Sequence, residues 1–125
     1  MENREIKYKV ILKKEKNNIR DCWGIDFKEK KALVSISGYF EWHHYKELIQ
    51  FTGLWDKNEI EVFEGYIFKR NNHYGFVRSS VSGLWVLEFN DGKILNLYCD
   101  YDWDWFVNQN EIKGNIHQNP ELLND

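Results

Sequence analysis

The densest grouping of chemically capable side chains is the string Asp100-Tyr101-Asp102-Trp103-Asp104-Trp105, followed by Glu111. Counted from Asp100, acidic residues occupy the first, third, fifth and twelfth places of a helix-flanked calcium loop, and Val107 fits its apolar eighth place. The sixth place, where that loop turns sharply and needs glycine, is Trp105. No helical periodicity flanks the string, so it reads as a strand or loop. As a strand it carries Asp100, Asp102 and Asp104 on one face and Tyr101, Trp103 and Trp105 on the other. Such an acidic stripe backed by aromatics is either an outer face whose rings fill the core or a recognition surface. Trp and Tyr are frequent interface anchors, and spaced carboxylates suit a basic partner. Asp100, Tyr101, Asp102, Trp103, Asp104 and Trp105 are therefore the expected partner-binding residues.

Other constellations point away from chemistry. His43 and His44 are neighbours, so they face opposite sides of a strand or diverge on a helix, and a shared metal would need His73, His117 or a cysteine to converge. Cys22 and Cys99 lack paired spacing, and Asp100 beside Cys99 disfavours its thiolate. Ser79, Ser80 and Ser82 lie near a turn without the glycine pattern of a nucleophile elbow. No phosphate-cradling glycine loop is present. The sequence thus predicts no catalytic, cofactor-binding or metal-ligating residues and no enzyme. Small β-barrels often stack nucleic-acid bases on exposed aromatics. The alternative to protein contact is therefore a nucleic-acid binder using a basic amino-terminal face of Lys7, Lys9, Lys13, Lys14, Lys16 and Arg20.

The elements that must hold these residues read as strands. From Glu5 to Lys13, Ile6, Tyr8, Val10 and Leu12 alternate with lysines, with Ile11 the exception on the polar side. Lys14-Glu15-Lys16-Asn17-Asn18 reads as a turn, and strands follow near Cys22–Phe27 and Ala32–Phe40. Glu41 to Phe51 fits a helix and a strand equally well. Beyond Ile60 five short strands are expected: Phe63–Lys69, Tyr74–Ser79, Leu84–Phe89, Ile94–Tyr98 and Glu111–His117. Asn90-Asp91-Gly92 carries the strongest hairpin signal among the breaks between them. Gly65 and Gly75 fall inside strand patterns, which suggests a bulge or a barrel corner. The expected fold is all-β, a small SH3-like barrel in residues 51–125 with an amino-terminal β region, residues 1–50, packed on it. At the carboxyl end Asn119 suits an N-cap, Pro120 a first helical position and Glu121 the helix dipole, which predicts a short helical turn. Leu122 and Leu123 must then pack on something, since one turn does not persist alone.

Composition sets the class. The 125 residues include 6 Trp, 7 Tyr and 8 Phe, an aromatic load that excludes a disordered chain, and the length suits one domain, or one domain with a small appendage. No apolar run is long enough to span a bilayer, and MENREIKYKV lacks the apolar core of a signal peptide. With two cysteines, that predicts reduced thiols in a cytoplasm. Residues 1–31 hold ten Lys/Arg and six Asp/Glu, whereas residues 32–125 hold seven and fourteen. That asymmetry fits self-association or a basic partner, or simply a solvated basic hairpin on an acidic body.

Three strings carry a further pattern: Arg4-Glu5-Ile6-Lys7-Tyr8, then Gln50-Phe51-Thr52-Gly53-Leu54-Trp55-Asp56-Lys57-Asn58 through Phe63-Glu64-Gly65, and finally Ile112 to Leu123. In this order and spacing they resemble the YopX family of small phage and prophage proteins, over nearly the whole chain. The resemblance implies a β-rich phage-type protein with an SH3-like barrel, and it brings no assigned reaction. Glu59 stands where the family often has glycine, so Asn58 is expected to take the left-handed turn position, and Tyr66 replaces a usual aspartate. The expected activity is therefore that of a non-catalytic accessory protein contacting a host or phage protein, with a homo-oligomer also open.

Overall fold

The computed structural model describes residues 7–97 and 103–124, with side chains from Phe106 onward in its helix. The protein is mainly β, with eleven strands, one short helix and a terminal 3₁₀ turn among the described residues. The chain divides into two compact units, residues 5–50 and, in the main, residues 51–125.

In the amino-terminal unit, β1 (Tyr8–Leu12), β2 (Ile19–Asp21), β3 (Gly24–Asp26), β4 (Lys31–Ile36) and the Tyr39–Gln50 stretch of β5 (Tyr39–Trp55) form an antiparallel sheet in the order β2-β1-β5-β4-β3. The undecided segment Glu41 to Phe51 is thus strand. Val10 and Leu12 share one core cluster, and Ile11, which alternates with them on the side of Lys9, is buried as well. The register with β5 slips between Ile11 and Leu12, which face Glu47 and Tyr45, so the extra residue of the bulge is Lys46 on β5. The expected strand Ala32–Phe40 is two strands. Ser37 and Gly38, at φ 51° and 86°, make a two-residue turn that pairs Ile36 with Tyr39. Val10, Leu12, Ala32 and Val34 form this unit's core.

In the second unit, the Phe51–Trp55 end of β5 pairs with β6 (Glu61–Phe63). β7 (Tyr66–Arg70), β8 (His73–Ser79), β9 (Trp85–Phe89) and β10 (Ile94–Asn96) follow as a meander, and β11 (Gly114–Asn115) returns to the free edge of β7. The strand order β10-β9-β8-β7-β11 is open, so the sheet does not close into the expected barrel among the described residues. Asn71 and Asn72, at φ 50° and 68°, join β7 to β8 in a tight turn, and Asp91-Gly92 lies in the hairpin between β9 and β10. Gly75 is buried in β8 because Phe89 crosses it: a Cβ there would lie 2.7 Å from Phe89 Cδ1. Gly65, at φ 88°, lies in the turn between β6 and β7 and not inside a strand.

Helix α1 (Trp103–Gln109) replaces the strand expected for this part of the acidic string. Period-two alternation of Asp and Trp imitates a strand, whereas the chain is helical here and buries Phe106 and Val107 in the core. Phe106 packs edge-on against Phe68 and Phe89, with ring centroids 6.2 and 6.3 Å away. Of the expected strand Glu111–His117, only Gly114–Asn115 forms.

Candidate functional site

The central and carboxyl-terminal strings, from Phe51 onward, build the second unit. Thr52 is buried, donates its hydroxyl to Val62 O at 2.7 Å and accepts Leu54 N–H at 3.2 Å. These bonds hold a bulge between Phe51 and Leu54 in which Gly53 takes φ 86°. Asp56 is 4% exposed, and its Oδ1 accepts the backbone N–H groups of Asn58 and Ile60 at 2.8 and 3.0 Å. Its Oδ2 accepts Ile112 N–H at 3.1 Å, which ties the turn to the carboxyl-terminal string. Glu59 itself takes the left-handed position, at φ 63°, so the expectation that Asn58 would do so is corrected. Asp56 N–H binds Ile60 O and Glu59 N–H binds Asp56 O, and this frame puts the sharp turn at Glu59, where the family's glycine would stand.

The terminal string is equally self-contained. Asn115 Oδ1 accepts His117 and Gln118 N–H at 3.0 and 2.9 Å, while Asn119 Oδ1 accepts Asn115 N–H at 3.1 Å. Asn119 therefore makes no side-chain cap for the turn Pro120–Leu123 and reaches back instead, which corrects the capping expectation. Gly114 leaves room for this, since a Cβ there would sit 2.5 Å from Asn119 Oδ1. Ile116 N–H binds Gly65 O at 2.9 Å, and a Cβ on Gly65 would lie 3.1 Å from Ile116 Cγ1. The last turn packs against β8, with Leu122 and Leu123 half-buried.

The sequence-predicted sites are placed as follows. Asp100, Tyr101 and Asp102 lie outside the described residues, as does Cys99; Trp103, Asp104 and Trp105 open helix α1. Asp104 is thus not on a strand face. Glu111, the twelfth place of the calcium-like pattern, pairs with Lys113 at 2.9 Å, and that hydrogen bond holds its carboxyl below the usual range. The basic residues do not share one strand face. Lys9 stands opposite Asp21 and Arg20 opposite Val10, so the two project from opposite sides of the hairpin. Arg20 is engaged by both oxygens of Glu15 at 2.8 and 2.7 Å, and Lys9 pairs with Asp21 at 3.3 Å. Lys13, Lys14 and Lys16 are exposed in the turn between β1 and β2.

His43 Nε2 lies 2.7 Å from Glu41 Oε1, and His43 and His44 stand opposite Ala32 and Lys31 on alternate faces. Cys22 donates its thiol to Tyr8 O at 3.3 Å, and burial, with Asp21 nearby, pushes its pKa up, which makes it a poor nucleophile.

What the sequence reading missed is an exposed aromatic face on the amino-terminal unit. Trp42 stands opposite Leu33, which stands opposite Gly24, so the three form one row across β5, β4 and β3. Gly24 has no side chain, and the Trp42 indole lies over that gap: a Cβ on Gly24 would be 3.2 Å from Cη2. Phe40, two residues earlier on β5, shares the face of Trp42 and meets Trp23 edge-on at 5.2 Å. Trp23, Phe40 and Trp42 are 59%, 59% and 50% exposed. Large rings held in fixed contact but open to water are the chemistry of an interface anchor. Residues 5–50 carry ten Lys/Arg against seven Asp/Glu, so the face sits on a cationic unit. The signal was in the sequence: Phe40 and Trp42 alternate with the charged Glu41, but the wider segment also had helical spacing.

A family model described as YopX protein matches residues 1–124. No curated protein matches the chain. The crystal structure of protein EF1440 from Enterococcus faecalis is similar, with a TM-score of 0.56 and 21% identity over 97% of this chain and 99% of that one. At that identity the likeness concerns the fold.

Proposed function

Starting from the fact that this chain belongs to the YopX protein family, we propose that it is a non-catalytic phage or prophage accessory protein acting by protein–protein contact in the host cytoplasm. The observation that carries this reading is the exposed set Trp23, Phe40 and Trp42, in which Trp23 meets Phe40 edge-on and Trp42 lies over Gly24. Thr52, Asp56, Asn115 and Asn119 of the central and terminal strings are engaged in holding the second unit's own turns, whereas the three rings stand open to water. The cationic balance of its unit favours an acidic surface on the host or phage partner.

The test is capture from host lysate by the tagged chain and by a Phe40→Ser/Trp42→Ser variant, with and without nuclease. The expected result is one defined protein that survives nuclease and is bound about 30-fold less tightly by the variant, as loss of an interface hot spot implies. Capture that persists in that variant but disappears with Asp100→Asn, Asp102→Asn and Asp104→Asn would move the contact to the acidic string. Capture abolished by nuclease would favour the nucleic-acid alternative through Lys13, Lys14 and Lys16.

A further inference from the structure

The second unit is acidic, with six Lys/Arg against twelve Asp/Glu in residues 51–125, yet its cations are not spread evenly. Arg78 is ion-paired with Glu88 and Lys113 with Glu111, Lys57 faces Glu111, and Lys69 lies over the Tyr74 ring at 5.3 Å. The two others, Arg70 and Lys93, have no carboxylate partner among the described residues, and both line one surface cavity of about 200 Å³.

The topology brings them together. Arg70 pairs with His73 across the tight turn Asn71-Asn72, and Lys93 follows the Asp91-Gly92 turn. β8 lies between β7 and β9, and Gly75 pairs with Phe89, so both turns project from the same end of the sheet. Phe89, 5% exposed, contributes an apolar wall. The guanidinium of Arg70 lies over Phe106, 6.0 Å from its ring centroid. Among the described residues Asp91 is the one carboxylate in the lining. Its Oδ1 accepts Lys93 N–H at 3.0 Å and its Oδ2 lies 3.7 Å from His73 Nε2. His73 Nδ1 is 3.1 Å from Asn90 Oδ1, so the imidazole is held on both sides at the rim.

We propose that this cavity binds a phosphate group, with Arg70 and Lys93 supplying the charge and Asn71 and His73 closing the rim. A guanidinium presents a donor fork that matches two phosphate oxygens, while an ammonium acts as a point charge on a third. The cavity is smaller than the sites that enclose drug-sized ligands, which points to a single phosphate group and not to a whole nucleotide. Nothing in this site takes part in the aromatic contact proposed above.

The experiment follows backbone amide resonances of the full chain during titration with inorganic phosphate, with acetate at matched ionic strength as the comparison. Saturable shifts at Asn71, His73, Asp91 and Lys93 are expected with phosphate and not with acetate. Arg70→Gln/Lys93→Gln should weaken the binding by about tenfold or more, the loss of a charge-assisted bond, while Lys57→Gln leaves it unchanged. The same spectra report whether each variant is folded. Shifts that do not saturate, an equal response to acetate, or binding unaltered in the double variant would overturn the assignment.

Discussion

Replacing Asp56 tests the tie between the central turn and the carboxyl-terminal string. Its carboxylate accepts three backbone N–H groups, those of Asn58 and Ile60 on Oδ1 and that of Ile112 on Oδ2. Asp56→Ala leaves all three donors without it. At about 1–1.5 kcal/mol for each partly buried bond, the variant should lose about 3–4.5 kcal/mol. Asp56→Asn is the sharper probe. It keeps an oxygen for Asn58 and Ile60 but sets an amide N–H₂ against Ile112 N–H, donor facing donor, which should cost about 2 kcal/mol. Equilibrium urea unfolding followed by tryptophan fluorescence gives the energies. Hydrogen exchange at the Ile112 amide locates the loss: protection should fall in Asp56→Asn while Asn58 and Ile60 keep theirs. An Asp56→Asn protein within about 0.5 kcal/mol of wild type, or one with Ile112 protection intact, would refute the tie.

Three further outcomes follow from the geometry. Glu59→Gly should stabilise the protein by about 0.5–1 kcal/mol in the same assay, because relief of the φ 63° position outweighs the greater chain entropy of glycine. Gly75→Ala should cost about 1–3 kcal/mol, since its Cβ would meet Phe89 Cδ1 at 2.7 Å and Glu88 O at 3.0 Å, and a lowered urea midpoint would show it. Glu15 is held below its ordinary 4.5 chiefly by its hydrogen bond with Arg20. A depressed carboxyl stabilises the fold above its unfolded value, and that stability is lost as pH falls through the folded one. Glu15→Gln should therefore cost about 0.5–1 kcal/mol near neutrality and nothing at pH about 2, measured as the gap between urea midpoints across pH.

The meander was legible because its signals are local. Asp91-Gly92 and the apolar runs on either side specify a hairpin whatever surrounds them. The long β5 was not, because Trp42, Tyr45, Leu48 and Ile49 satisfy helical spacing as well, and pairing with β1 and β4 decides the matter. Helix α1 was hidden for a related reason: alternate Asp and Trp imitate a strand, while Phe106 and Val107 answer to the core. The aromatic face escaped because sequence does not distinguish a ring that fills a core from one that lies open. Trp85 at 8% exposure and Trp42 at 50% look alike on paper. The cationic cavity needed the strand order, since residues 70 and 93 come to line one cavity only when β8 sets two turns side by side.

The two-residue strand β11 also has a consequence in time. β7 to β10 are joined by short turns and can zip up from local contacts, whereas Gly114 and Asn115 must return to Ile67 and Tyr66 from far along the chain. In a chain made from its amino end, that pairing comes last. Until it forms, one side of β7 presents unpaired backbone groups next to buried Ile67 and Phe68, a template for sticking to another growing chain. The closing string works as a late clasp, and the interval before it fastens is when this protein is most exposed to aggregation.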